Sequence, residues 1–296
     1  RFGLRTEYTD YSVAVSDQTV AIADTYLGWF PSASLDYAWN DHYRINLSYR
    51  AGINRQSYPS LNPALLYQDP FTSIQGNPLL VPERLQAIEL NTQLHRTQLK
   101  LGYNYIRNPF GGAALRGEDD KSYILKRINF QKGSDWYGSL SRTLEYGIWS
   151  ANTTVTATFP QRSETVFEVV GEDPRLNWYI YSAQRLKLFD GWEAELLLWW
   201  QSDLYDGTFY REDSYNVTLS LSRTFLDDLL NVRFIANDIF HGNRADGDYR
   251  VAETDITFNN KWNSNYFRLV IGCSLGKLES KKFEHRNTGA SEAARK

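Results

Sequence analysis

Residues able to do chemistry are plentiful in this sequence, but their spacing assembles no reactive group. Four histidines, His42, His95, His241 and His285, are scattered along the chain. A transition-metal centre needs several imidazole, thiolate or carboxylate ligands converging on one point. The single cysteine, Cys273, supports neither a thiolate cluster nor an intrachain disulfide. The acidic run Gly117-Glu118-Asp119-Asp120 and the triplet Asp246-Gly247-Asp248 carry the charge of a calcium loop without its full pattern, and read first as solvated loop tips. There is no GxSxG, HExxH, phosphate-cradling or dinucleotide-binding motif. The expectation is therefore no catalytic residue, no metal site, no cofactor and no enzyme activity. What remains is the chemistry of recognition. Arg55, Tyr58, Tyr67 and Phe71 offer a guanidinium and aromatic faces within one proline-punctuated stretch, 54–83, and are the candidate ligand-binding residues.

The elements that must position them are strands. YRINLSYRAGIN sets Tyr43, Ile45, Leu47, Tyr49, Ala51 and Ile53 against Arg44, Asn46, Ser48, Arg50, Gly52 and Asn54. QLKLGYNY (98–105) and YNVTLSLSRTF (215–225) alternate in the same way. Period two with one apolar and one polar face means strands. Aromatics close the ends of several apolar faces: Tyr43 and Tyr49 bracket Ile45 and Leu47, and Trp192 and Trp200 bracket Ala194, Leu196 and Leu198. A soluble sheet shares the alternation; aromatic girdles belong to transmembrane barrels. No apolar run approaches the ~20 residues of a membrane helix. A net charge of −3, from 32 basic and 35 acidic residues, gives no reason to expect nucleic acid.

About twelve strands are predicted, at 1–10, 28–39, 43–53, 84–95, 97–107, 121–145, 147–159, 174–188, 191–205, 214–225, 230–240 and 257–276. Short connections at 39–43, 94–98, 144–149, 188–192 and 225–230 alternate with long ones at 11–27, 54–83, 108–121, 160–173, 205–213 and 241–264, the rhythm of an outer-membrane barrel. Arg44, Arg50 and Lys100 then face the lumen. Leu61, Leu65, Leu66, Phe71, Ile74 and Leu79 are expected to pack as a small core within the 54–83 loop. The loop either caps the barrel or touches a ligand. The chain begins at Arg1 rather than Met, and is expected to be a mature or truncated piece of something longer.

INRQSYPSLNPALLYQDPFTSIQGNPLLVPE (53–83) resembles a signature of TonB-dependent outer-membrane receptors from Bacteroidetes, the outer membrane protein β-barrel family. GLRTEYTD (3–10), LGWFPSASLDYAWNDHYRINLSYR (27–50), NDIF (237–240), FRLVIGCSLGK (267–277) and RNTGASEAARK (286–296) are similar to further segments of that family. Leu275 stands where an aromatic is usual, and Gln56 where proline is common. The resemblance implies an all-β, antiparallel transmembrane barrel of about 22 strands filled by an N-terminal plug, of which this chain supplies the C-terminal part. Residues 1–276 are then barrel with long external loops, and 277–296 a charged periplasmic tail. Implied partners are outer-membrane lipid, the plug and remaining strands, the TonB complex and a surface lipoprotein. The implied function is uptake of a scarce nutrient. A complete twelve-stranded outer-membrane enzyme and a non-transporting surface-binding barrel are the competing readings.

Overall fold

Strict alternation sends successive side chains to opposite faces, so such segments pair edge to edge. The computed structural model describes residues 1–15, 18–117, 121–163, 174–226, 229–251 and 254–274. The expected tail 277–296, Leu275, His285 and the acidic residues 118–120 lie outside the described residues. Twelve strands form one antiparallel wall: β1 (Phe2–Val15), β2 (Gln18–Asn40), β3 (Tyr43–Asn54), β4 (Glu83–Leu94), β5 (Thr97–Arg107), β6 (Lys132–Tyr146), β7 (Trp149–Arg162), β8 (Asn177–Lys187), β9 (Trp192–Gln201), β10 (Ser214–Phe225), β11 (Leu230–Asn237) and β12 (Tyr266–Cys273). Each pairs with its neighbour in sequence. β1 and β12 end the order and are not paired to each other, so the wall is open. That corrects the reading of a complete twelve-stranded barrel.

All five expected short turns lie on one rim. At the first, Asn40 Oδ1 accepts the N–H groups of His42 and Tyr43 at 2.8 and 3.0 Å. The Tyr43–Leu94 register sets this turn beside the next, where His95 adopts a left-handed conformation, φ 55°. The rings of His42 and His95 stack with centroids 4.6 Å apart, so two of the histidines expected to be scattered meet.

Three expectations about the long connections are corrected. The stretch 121–145 is not one strand: Tyr123–Asn129 joins a separate sheet and β6 starts at Lys132. The break comes where Phe130 is buried and the Asn129 amide turns to bond the carbonyls of Val81 and Asn108, at 3.0 and 2.8 Å. The stretch 257–276 also divides. Thr254–Lys261 pairs with Arg244–Val251, and the wall resumes at Tyr266. Buried Asp238 gathers both ends of that excursion, accepting from Gly242 N at 2.9 Å and Ser264 Oγ at 2.5 Å. The supposed loop 11–27 is a continuation of the β1–β2 hairpin, paired from Tyr11–Asp24 to Val15–Gln18.

Register carries the two faces across the wall. Leu35, Leu47, Leu90, Leu101, Gly138, Ala157 and Trp178 share one row, and Leu99, Leu140, Val155, Ile180, Trp200 and Tyr215 another. Leu35, Leu47, Ile88, Leu101, Leu140, Phe234 and Leu269 on this face are all exposed. A continuous apolar surface of this extent marks contact with lipid or protein. The other face carries charge networks. Glu89 accepts from Tyr137 Oη at 2.6 Å and Asn91 Nδ2 at 2.7 Å, with Lys100 Nζ at 3.6 Å. Glu195 accepts from Arg185 at 2.7 Å and Ser220 at 3.2 Å and pairs with Arg233. Lys100 thus lies on the polar face as expected.

Tyr137 reaches Glu89 by crossing Gly102. A Cβ there would stand 2.2 Å from Tyr137 Cζ. Gly102→Ala should cost about 1–3 kcal/mol through overpacking, and Tyr137→Phe about 1–3 kcal/mol through loss of a charged hydrogen bond. Unfolding of the full-length barrel in urea should show the double variant costing less than the sum, because both changes break one contact. Additive costs would mean that Gly102 protects something else.

Candidate functional site

The long connections build a second tier over the other rim. The 55–82 segment starts with the helix Tyr58–Leu61 and continues through the hairpin Leu65–Tyr67/Thr72–Gln75. Its polar signature residues hold the backbone. Asn62 Oδ1 accepts from Ala64 N at 3.1 Å. Asp69 Oδ1 accepts from Phe71 and Thr72 N–H, both at 2.8 Å, which closes the turn. Asn77 donates to Arg127 O and accepts from Leu79 N, both at 3.1 Å. Glu83 accepts from Asn54 Nδ2 at 2.7 Å and pairs with Phe110 N. A turn locked by side chains in this way loses little further entropy when it meets a partner.

Two small sheets grow from these connections. In one, the hairpin just described continues through Tyr123–Asn129 to Phe110–Arg116, with Thr72–Ile74 running parallel to Tyr123–Leu125. In the other, Leu204–Asp206, Phe209–Arg211, Arg244–Val251 and Thr254–Lys261 lie in order. They meet at a core of Ala114 and Tyr249, packed by Tyr123, Leu125, Phe209, Ile256 and Phe258. At the seam Thr208 N donates to Gly112 O at 3.0 Å. Gly207, with φ +69°, sits so close that a Cβ would stand 2.0 Å from that oxygen. Arg175 clasps the hairpin from outside, 3.1 Å from Asp203 and over the rings of Tyr205 and Tyr210.

Between the two sheets lies a cleft of about 860 Å³. Ile74, Leu125, Phe209, Tyr249, Ile256 and Phe258 give it apolar walls. Asp69, Gln75, Lys126, Arg127, Asp206, Arg211 and Asn260 supply polar groups. Arg211 and Asp206 pair at 3.5 Å. Burial pushes the Lys126 ammonium below its ordinary pKa and the Tyr249 phenol above its own. Apolar walls with a few placed cations suit a ligand with an apolar or flat body and anionic groups.

The candidates drawn from the sequence stand elsewhere. Arg55 donates to Glu7 at 2.6 Å, Thr9 at 3.0 Å and Tyr26 at 3.1 Å, tying the segment to β1 and β2. Tyr58, Tyr67 and Phe71 are exposed on the outer surface and do not line the cleft. The expected loop core is also corrected. Of its six members only Leu61 is buried, while Leu65, Leu66, Phe71, Ile74 and Leu79 are exposed, because side-chain amides rather than apolar packing close this segment. Lys126, Arg211, Phe209 and Tyr249 were missed. Tyr123–Asn129 leads directly into the wall strand β6, and only Asn108-Pro109 and Gly111-Gly112 before it hint at another destination. Asp246, once weighed as a cation ligand, is buried in a strand and paired with Arg244 at 3.3 Å.

The profile of the outer membrane protein β-barrel family matches residues 1–274. The chain belongs to that family. Its wall is accordingly an outer-membrane wall, and the exposed apolar face meets lipid. No curated protein sequence matches the chain. Among solved structures, the siderophore receptor PirA from Pseudomonas aeruginosa is similar at 16% identity and TM-score 0.54, with 81% of this chain and 45% of that one covered. The copper transporter OprC is similar at 11% identity and TM-score 0.59, covering 90% and 43%. The FrpB iron transporter from Neisseria meningitidis (F5-1 variant) is similar at 13% and 0.55, covering 91% and 43%. The chain spans less than half the length of each, and identities this low carry the fold and not the cargo.

Two outcomes follow for the tier above this barrel. Asn77→Ala removes both amide bonds and should speed hydrogen exchange across 76–82 about tenfold, for a loss of ~1–1.5 kcal/mol. Unchanged exchange would show that the staple is not what orders the segment. Asp69 is held below its ordinary pKa, first by the Phe71 N–H. A depressed carboxyl stabilises the turn at neutral pH and loses that stabilisation as pH falls through the folded value. Pepsin cutting beside Phe71, followed from about pH 5 to about pH 2, should rise in a step that Asp69→Asn abolishes.

Proposed function

We propose that this chain is the C-terminal part of a TonB-dependent outer-membrane transporter for a scarce nutrient. The observation that carries this reading is the open wall, whose free edges at β1 and β12 call for further strands. In the proposal an upstream segment contributes a plug and about ten more strands to close the barrel. The polar ladders around Glu89 and Glu195 face that plug. The short-turn rim lies in the periplasm with the C-terminal tail 277–296, and TonB acts from that side. The long-loop tier faces outward.

The cleft is the proposed seat for cargo. Lys126, Arg127 and Arg211 engage its anionic groups, and Phe209, Tyr249 and Phe258 its body. Tyr58, Tyr67 and Phe71, exposed above, make first contact, while Arg55 fixes the root of the segment. The structural neighbours support the barrel type and leave the cargo to chemistry.

The test uses cells lacking the native gene and complemented with the full-length receptor. Growth is scored on limiting ferric chelates, corrinoids and oligosaccharides, with and without TonB. One nutrient should require both proteins. The Lys126→Glu/Arg211→Glu double variant should need about tenfold more of that nutrient for half-maximal uptake, the effect of losing roughly 1.4 kcal/mol of binding. Binding that persists with no TonB-dependent uptake would point to a surface-binding barrel instead. Uptake unaffected by the cleft variant would remove the cleft as the seat.

A further inference from the structure

The lipid-facing side of β4, β5 and β6 is layered by register. At the long-loop rim Arg84 stands opposite Arg107, and Arg107 opposite Lys132. These three cations lie side by side on neighbouring strands, on the same face as Ile88, Tyr103 and Trp136, and all three are exposed. Among the described residues no carboxylate pairs with them. Like charges directly opposite one another destabilise a sheet. Adjacent strands are about 4.8 Å apart, so one anion can reach all three side chains.

The next row toward the membrane is polar: Gln86, Tyr105, Ser134 and Gln161, with Ser134 Oγ donating to Gln161 Oε1 at 3.1 Å. Beyond it lie Ile88, Tyr103, Trp136 and Phe159, the rings of Tyr103 and Trp136 being 4.5 Å apart. Below these, Gly138 sits between Leu101 and Ala157 and leaves a groove of about 440 Å³, walled by Leu47, Ile88, Leu90 and the aromatics. From cations to aromatics is four residues, about 13 Å along a strand.

We propose that this strip is a specific seat for a phosphorylated lipid of the membrane. Its phosphate bridges Arg84, Arg107 and Lys132. Its hydroxyl and ester groups meet the Gln86–Tyr105–Ser134–Gln161 row, and an acyl chain lies in the Gly138 groove. Guanidinium forks match phosphate oxygens in geometry as well as charge, and the bound phosphate removes the repulsion along the row. A free phosphate would use only the first layer; the order of all four layers is that of an amphiphile. The seat depends on the wall facing lipid and is independent of whether the barrel transports anything.

Full-length receptor in detergent micelles is doped with dioleoyl phosphatidic acid, dioleoyl phosphatidylcholine or inorganic phosphate, and read by native mass spectrometry. Wild type should retain phosphatidic acid over phosphatidylcholine by about tenfold, the ratio that one well-made charged contact supports. The Arg84→Gln/Arg107→Gln/Lys132→Gln variant should lose that preference. Gly138→Leu, which fills the groove, should lower retention of both lipids. Should the triple variant not assemble, Arg107→Gln alone, at the centre of the row, should still cut the preference several-fold. Equal preference in wild type and charge variants would overturn the proposal. So would displacement of phosphatidic acid by equimolar inorganic phosphate, which would make the row an anion site and not a lipid seat.

Discussion

A wall immersed in hydrocarbon must satisfy its backbone hydrogen bonds within itself, because no water is there to take them. The ladder of paired strands answers that demand, and once one pair is in register the rest is fixed. A slip of one residue would exchange the two faces along a whole strand. Leu47 opposite Leu90 therefore entails Ser48 opposite Glu89, and the lipid face and the lumen networks are two results of one register. Gly102 shows how tightly they are coupled: its missing side chain lets Tyr137 cross to Glu89 on the polar face, while its neighbours Leu101 and Tyr103 remain in lipid contact.

Above the rim the constraint changes. The connections stand outside the hydrocarbon, and their chains turn too often for a ladder to satisfy every group. Side-chain carboxylates and amides take over. Asn62, Asp69, Asn77, Glu83, Asn129 and Asp238 each bond backbone groups, several across long sequence separations. Asn77 and Asn129 each bridge from one connection to the next. The tier is thereby assembled from separate connections into one body, and the cleft exists because two sheets from different connections are held face to face.

That difference explains what could be read in advance. The wall strands announce themselves through period-two alternation, and the five short turns through their length, since both are local. Tyr123–Asn129 lies directly before β6 and reads as its start; its partners are Phe110–Arg116, antiparallel, and Thr72–Ile74, some fifty residues earlier, in a parallel pairing no local pattern encodes. Thr254–Lys261 pairs antiparallel with Arg244–Val251, and what no local pattern encodes is that this hairpin leaves the wall for a separate sheet. The LNP and GNP motifs are visible as a signature, but Asn77 acquires its meaning from Arg127 O, and the cleft residues Lys126 and Arg211 acquire theirs only when two connections meet. Aromatic residues, by contrast, are conspicuous in sequence wherever they sit. Tyr58, Tyr67 and Phe71 drew notice for that reason, although the more enclosed chemistry lies beside them.

The cation row on the lipid side follows from the same logic. Lys132 begins a strand, Arg84 stands second in one and Arg107 ends one, so each taken alone is an ordinary charged residue near a strand terminus at the interface. Only the register turns three separate termini into one row. A sheet that repelled itself there for no return could relieve the strain by shifting a single residue to the polar face. Here contacts at the rim oppose that shift: Glu83 beside Arg84 is committed to Asn54 and Phe110 N, and Ser163, just past β7, accepts from Lys132 N through its hydroxyl at 3.1 Å. Contacts at the rim thus hold the register that sets Arg84, Arg107 and Lys132 side by side, and among the described residues no carboxylate pairs with them.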